Sequence, residues 1–250
     1  YPDDQHDAID GYFSELSERL TQAMHAAGMP LCNGYVMAVN PLWRKTARQW
    51  RAQMDYWLGR RNPAALRLAD IFFDFRGVAG ERRLAAELRD YITDRMRNNR
   101  GFMREMYLQD EDFGVALGLF NRFIVEKNDK EHRGELNLKI TGTLPLVDAV
   151  RALALLHGVA ETGTLARIAG LLEQGALDRD EADYLQGAFA HITHLLLRQQ
   201  MVDQRGGKTI SNYVHPDRLT DREDDRLVDA LKAIRDLRDR LRSDLGGALF

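Results

Sequence analysis

The stretch Glu131–Arg167, EHRGELNLKITGTLPLVDAVRALALLHGVAETGTLAR, decides how the chain is read. It opens with Leu136-Asn137-Leu138-Lys139-Ile140, where apolar and polar residues alternate with the period of a strand. Gly142 breaks the alternation. Pro145 suits a helical first turn, whose N–H groups have no partner to lose. The helix that follows has Leu146, Val147, Val150, Leu153, Ala154 and Leu156 on its apolar side. Asp148 and Arg151 are one turn apart within it, and Gly158 ends it. Thr162-Gly163-Thr164 starts a further helix, with Arg167 one turn beyond Thr164. The segment therefore sets Lys139, Asp148, Arg151, Thr164 and Arg167 near element ends around an apolar core. Two readings of these charges stand side by side. They pair with one another and fix the packing, or they form a cleft for an anionic ligand, with helix-end N–H groups and guanidinium donors converging on it.

Outward from this stretch the pattern stays helical. Asp178 and Glu181 form a capping-box pair for a helix to about Gln204, with Leu185, Phe189, Ile192, Leu195, Leu196 and Met201 inward. Thr220 and Glu223 cap a last helix to about Leu241. On the other side, Phe123–Val125 and Leu136–Ile140 read as a hairpin around the polar 127–133 loop. A short helix covers 101–110, with Met103, Met106 and Tyr107, and a further short apolar segment falls at 113–120. A charged helix covers 81–98, with Leu84, Leu88, Tyr91, Ile92 and Met96 inward, and joins two domains, 1–80 and 81–250.

The front of the chain begins with an amphipathic helix over 8–27, carrying Ile9, Phe13, Leu16, Leu20, Ala23 and Met24. Tyr35–Val39 reads as a short buried strand. Asn40-Pro41 and Asn62-Pro63 both read as an N-cap followed by a first-turn proline. The first starts a helix to about Leu58 with Trp43, Trp50, Met54 and Trp57 as core. The second starts one in which Leu66, Asp70 and Asp74 recur at helical turns, although Ile71-Phe72-Phe73 would also suit a strand.

Composition sets bounds. The 250 residues suffice for one large core or two moderate ones, and 44% hydrophobic with 29% charged residues is ordinary for a globular chain. A net charge of −3 argues against a nucleic-acid footprint. No apolar run reads as a membrane span and no signal peptide is seen at the start. The single cysteine, Cys32, cannot pair within the chain, which fits a reducing cytoplasm. The start at Tyr1, without methionine, suggests a fragment of something longer. His191 and His194 have a spacing that metal sites use, but four ligands are needed and no second pair accompanies them, so no metal site is expected. Ser211 and Ser243 lack the context of a nucleophile.

Several ordered motifs resemble one family. Gly134–Lys139 matches G-x-L-x-L-K, Pro145–Leu155 matches P-[LI]-V-D-x-x-R-x-L-A-L, and Thr164–Arg167 matches T-x-x-R. Cys32, Gly34, Val36, Met37, Asn40, Pro41, Trp43 and Arg44 fit C-x-G-x-V-M-x-x-N-P-x-W-R. Phe72–Arg76 with Gly80 fits F-F-D-F-R and a glycine. Arg198 and Gln200 fit R-x-Q, and Asn212 and Pro216 fit N-x-x-x-P. Together they resemble the bacterial DUF294 family of putative nucleotidyltransferases related to protein-PII uridylyltransferase. The resemblance implies a mainly α fold, in which a small α/β remnant of a nucleotidyltransferase domain precedes a helical bundle. It implies transfer of a nucleotidyl group from an NTP to a protein or small-molecule hydroxyl, with Mg²⁺. The acceptor would be unknown or a PII-like protein, and self-association is left open. Substrate or nucleotide binding falls to Lys139, Asp148, Arg151, Thr164, Arg167, Arg198 and Gln200. The phosphate-cradling G-S-x-x-R has no counterpart here, because the chain holds no Gly-Ser pair. Asp3-Asp4 lacks the strand context of the metal-binding D-x-D. No catalytic residue is therefore expected in this chain. The alternative is a non-catalytic interaction or signal-relay module, linked to upstream CBS or cyclic-nucleotide-binding domains.

Overall fold

The computed structural model describes residues 6–60, 62–97, 99–109 and 114–246. Helices dominate, as the composition of elements expected from sequence requires: α1 (His6–Ala26), α2 (Ala47–Arg60), α3 (Pro63–Phe72), α4 (Arg82–Arg97), α5 (Arg100–Gln109), α6 (Leu144–His157), α7 (Thr164–Glu173), α8 (Arg179–Arg205) and α9 (Asp221–Gly246). Two short strands, β1 (Leu136–Asn137) and β2 (Tyr213–Val214), complete the set. The chain forms two compact units. One comprises Tyr1–Arg60 and Gly77–Tyr91, the other Arg61–Arg76 and Ile92–Phe250. These limits differ from a single division at residue 80, because α3 belongs to the second unit.

In the first unit the Asn40 side chain accepts a hydrogen bond from Leu42 N at 3.0 Å and starts a 3-10 turn over Pro41–Trp43. A long helix from Pro41 was expected. Instead the chain is extended at Arg44, and Thr46 with Gln49 makes a reciprocal cap that starts α2. Arg44 donates Nε to Asp10 Oδ1 at 3.0 Å and Nη1 to the Ala38 carbonyl at 2.8 Å, fastening this turn to α1. Trp43, Trp50 and Trp57 form a triangle with ring centroids 6.2–6.4 Å apart, with Trp57 buried at its base. Tyr35–Val39 is not a strand. Tyr35 is exposed with a left-handed φ of +55°, and the segment folds as turns. Leu84, expected to face inward on α4, is exposed.

In the second unit α6 is the central helix, with Leu146, Ala149, Val150, Ala152 and Leu153 all buried. It packs against α5, α7 and α9, and α8 lies antiparallel to α9. The alternation at 136–140 does not extend as a strand. After β1 the backbone turns into a π-helical segment, Lys139–Thr143, that leads directly into α6. Gly142 sits inside this segment, where a Cβ would meet the Ile192 side chain at 3.3 Å, so its role is close approach to α8 rather than a break. Lys139–His157 reaches 19 residues with a mean hydropathy of 1.3, long and apolar enough on those grounds to cross a membrane. Here most of its residues are buried by neighbouring helices, as a core helix requires.

The expected hairpin partner of Leu136–Ile140 is replaced. Leu136 pairs with Val214 and Asn137 with Tyr213, antiparallel, while Phe123 bridges to Leu117. The 127–133 loop is still closed at its base, by Glu126 N to Glu135 O and Gly134 N to Glu126 O. The caps of α3, α8 and α9 form as read: Asn62 accepts from Ala65 N, Asp178 and Glu181 cap reciprocally, and Thr220 and Glu223 do the same. Met201, expected inward on α8, is exposed. Part of the 113–120 segment lies outside the described residues.

Candidate functional site

The residues singled out by motif do not all meet. Arg151 and Arg167 do, through three carboxylates. Arg151 lies in the second half of α6 with a side chain 10% exposed. Its Nη2 donates to Asp148 at 2.7 Å and to Asp70 at 3.0 Å, and its Nη1 donates to Asp74 at 3.1 Å. Arg167, on the first turn of α7, is 1% exposed. It shares Asp74 through Nη2 and donates Nε to the Glu161 carbonyl at 2.8 Å. α3 supplies Asp70, and the turn just after α3 supplies Asp74, so this pair of carboxylates fastens α3 to α6 and α7 within the second unit.

Burial works against the charge on Arg151, but Asp70, Asp148 and Asp74 outweigh it and hold the guanidinium above its ordinary pKa. For Arg167 burial wins over Asp74, and its pKa is lowered. Both still carry their charge at neutral pH. Three carboxylates against two guanidiniums leave the cluster with one excess negative charge when all are ionised. A free anion is therefore not drawn to it as it stands. Two donors remain in it, Arg151 Nε and Arg167 Nη1, buried without a hydrogen-bond partner. The carboxylate Asp70 Oδ1 lies 2.8 Å from Arg151 Nη2, close enough for charge attraction although the angle is poor for a hydrogen bond.

The other motif residues lie elsewhere. Lys139 is exposed at the start of the π-helical segment, twelve residues before Arg151, which is roughly 18 Å along a helix axis. Thr164 opens α7 behind Gly163, which takes the N-cap position. Arg198, on α8, pairs with Glu223 at the cap of α9. The Thr220 N–H leads in stabilising the Glu223 carboxylate, Arg198 adds to it, and the carboxyl is lowered to about 2. Gln200 donates to Asn212 Oδ1 at 3.1 Å, and the Asn212 carbonyl accepts from Leu138 N at 3.1 Å. These contacts tie the end of α8 to the β2 approach and to the base of the π segment. The C-terminal end of α8 holds a further buried carboxylate, Asp203, which accepts from Ser211 N, Ser211 Oγ and Gln199. Sequence reading passed over Asp203, whose role depends on a loop eight residues away.

Among the described residues no group of three or more His, Cys, Asp or Glu side chains could hold a metal ion. His191 Nε2 donates to the Glu223 carbonyl at 2.9 Å, which ties α8 to the start of α9. The Mg²⁺ implied by the resemblance has no such ligand group among the described residues. The bare D-x-D spacing does occur at Asp178–Asp180, but Asp178 caps α8 and no strand carries the pair. It occurs again at Asp110–Asp112, outside the described residues.

Residues 100–245 match the family model DUF294_C, described as putative nucleotidyltransferase substrate binding domain, and residues 1–64 match DUF294, described as putative nucleotidyltransferase. No curated protein and no solved structure gives a significant match. Asp70 and Asp74 lie between the two matched ranges, whereas Arg151 and Arg167 lie inside the second. The chain belongs to the DUF294 family of putative nucleotidyltransferases, whose substrate-binding domain forms most of its second unit.

Proposed function

We propose that the parent protein transfers a nucleotidyl group from an NTP to a hydroxyl of a protein or small molecule, in the manner of PII uridylyltransferase. In this reading the second unit positions the nucleotide or its acceptor. The observation that carries it is the match of 100–245 to a substrate-binding domain, on a unit whose helices are fixed by buried ion pairs. Positioning lowers a barrier only if the positioning groups are themselves held still. Arg151 and Arg167 meet that condition, since each is buried and anchored to side chains of another element. Lys139 is the exposed cation of the motif set and is assigned to direct contact with phosphate.

The test uses the parent protein and the 250-residue chain in parallel, with Mg²⁺, each labelled NTP and candidate acceptors including a PII-like protein. Label transfer by the parent and none by the chain is the expected result. Turnover by the chain alone would place the catalytic groups within it. A parent that binds a partner protein but transfers no label with any NTP would favour the interaction-module reading. Lys139→Ala should raise KM for the NTP without changing the melting temperature. An unchanged KM removes Lys139 from the site.

A further inference from the structure

Two adjoining cavities of about 700 and 520 Å³ run along the α8–α9 pair. They share Tyr184 and Asp229, and residues of both helices line each, so they make up one groove. Its depth comes from small residues: Gly187, Ala188 and Ala190 on α8, Ala230 and Ala233 on α9. Its charge is one-sided, with six carboxylates against three cations, Arg226, Lys232 and Arg240.

Part of that charge has a local explanation. Acids in a helix first turn complement the helix dipole, which accounts for Asp180 and Glu181 on α8. Asp183, Asp229 and Asp236 lie beyond those first turns and gain nothing from it. Asp229 meets Lys232 at 3.6 Å and Asp236 meets Arg235 at 3.8 Å, long contacts on exposed side chains that neutralise little. Midway along the groove stands Tyr184, 59% exposed, with an aromatic face available to a cation.

The dimensions distinguish among cationic ligands. From Asp178 to His194 the groove follows α8 for sixteen residues, roughly 24 Å. That span matches about seven residues of extended chain. A lysine or arginine stem can lie on an alanine floor while its charged end stays at a polar rim.

We propose that the α8–α9 groove docks a basic peptide segment of a partner protein, with its lysine or arginine side chains over Gly187, Ala188 and Ala230 and their charges at Asp183, Asp229 and Tyr184. The docking does not depend on nucleotidyl transfer and can be tested without it. The probes are a labelled seven-residue peptide alternating lysine and alanine, its glutamate counterpart, and spermine, with the 250-residue chain and fluorescence anisotropy as the readout. The lysine peptide should bind saturably, and the glutamate peptide should not. Raising the salt from 0.05 to 0.5 M, hence a Debye length falling from about 14 to 4 Å, should weaken binding at least about tenfold. Tyr184→Ala should weaken it about fivefold, with Tyr184→Phe retaining it. The pair Asp183→Asn and Asp229→Asn should weaken it further, and circular dichroism should show all variants folded. Binding that ignores these substitutions overturns the proposal. So does spermine binding as tightly as the peptide, which would indicate a site for small polycations, or a groove closed by a second copy of the chain in sedimentation.

Discussion

The two compact units bury their apolar residues very differently. In the second, Leu146, Val150, Leu153 and Ala154, four of the six residues that periodicity placed inward on α6, are buried, and on α9 Leu227, Leu231 and Ile234 are close to fully enclosed. In the first, α1 has an apolar stripe of the same regularity, yet Tyr12, Leu16, Leu20 and Met24 are exposed. Periodicity shows that a helix has an apolar side. It does not show that anything covers that side, and covering is what converts apolar area into stability. The units also differ in how charge is used. In the first the largely buried Arg44 pairs with the half-exposed Asp10, whereas in the second two buried guanidiniums share three carboxylates.

The sharpest test of this contrast is a matched pair of truncations. Leu231→Ala, at a fully buried position, should cost about 3–4 kcal/mol in urea unfolding followed by circular dichroism. A loss below about 1 kcal/mol would mean that the second unit is loosely packed. Next in size is Arg167→Ala. It leaves the Glu161 carbonyl without its donor and Asp74 with one guanidinium in place of two. Removing one partner of a buried pair costs several kcal/mol, but Asp74 is about one-third exposed. About 2–3 kcal/mol is therefore expected. If Arg167→Ala keeps full stability but affinity for nucleotide is lost in calorimetry, the arginine serves a ligand rather than the core.

A smaller effect is expected at the cap of α9. The Glu223 carboxyl falls from an ordinary 4.5 to about 2, chiefly through the Thr220 N–H and Arg198. A lowered carboxyl contributes stability that is complete above the unfolded value and is lost as pH falls through the folded one. The melting temperature should therefore drop between about pH 4.5 and 2, and Glu223→Gln should lessen that drop while costing about 1 kcal/mol at neutral pH. An acid profile unchanged in Glu223→Gln would assign the sensitivity to other carboxylates. The smallest effect completes the matched pair. Leu20→Ala, at an exposed position on α1, should change stability by less than about 0.5 kcal/mol. A loss comparable to that of Leu231→Ala would show the α1 stripe to be covered in solution.

Local chemistry made much of this structure legible. Asn62-Pro63, Asp178 with Glu181, and Thr220 with Glu223 start helices where the sequence placed them, because each cap is complete within four residues. Pairing over distance was not legible. Leu136-Asn137 took Tyr213-Val214 as partner rather than the nearer Phe123–Val125, and alternation alone has no information about the partner. Tyr35–Val39 has strand-forming residues, but its neighbours at Asn40 and Arg44 hold it in turns. The same limit applies to the site. Arg151, Asp148 and Arg167 were grouped from one stretch of sequence. The carboxylates that fix the arginines, Asp70 and Asp74, come from 77 to 93 positions earlier.

The tryptophan triangle has an optical consequence. All three tryptophans of the chain, Trp43, Trp50 and Trp57, belong to the first unit, and their rings are close enough to exchange excitation. Intrinsic emission excited at the red edge of the indole band is therefore a private signal of that unit, while α5 to α9 emit nothing there. A ligand arriving at α8, α9 or the Arg151 cluster would leave that emission unchanged unless its effect travelled to the first unit. A single new tryptophan on the second unit, at the exposed Leu197 for example, would give the silent half its own colour and make the transmission between the halves directly visible.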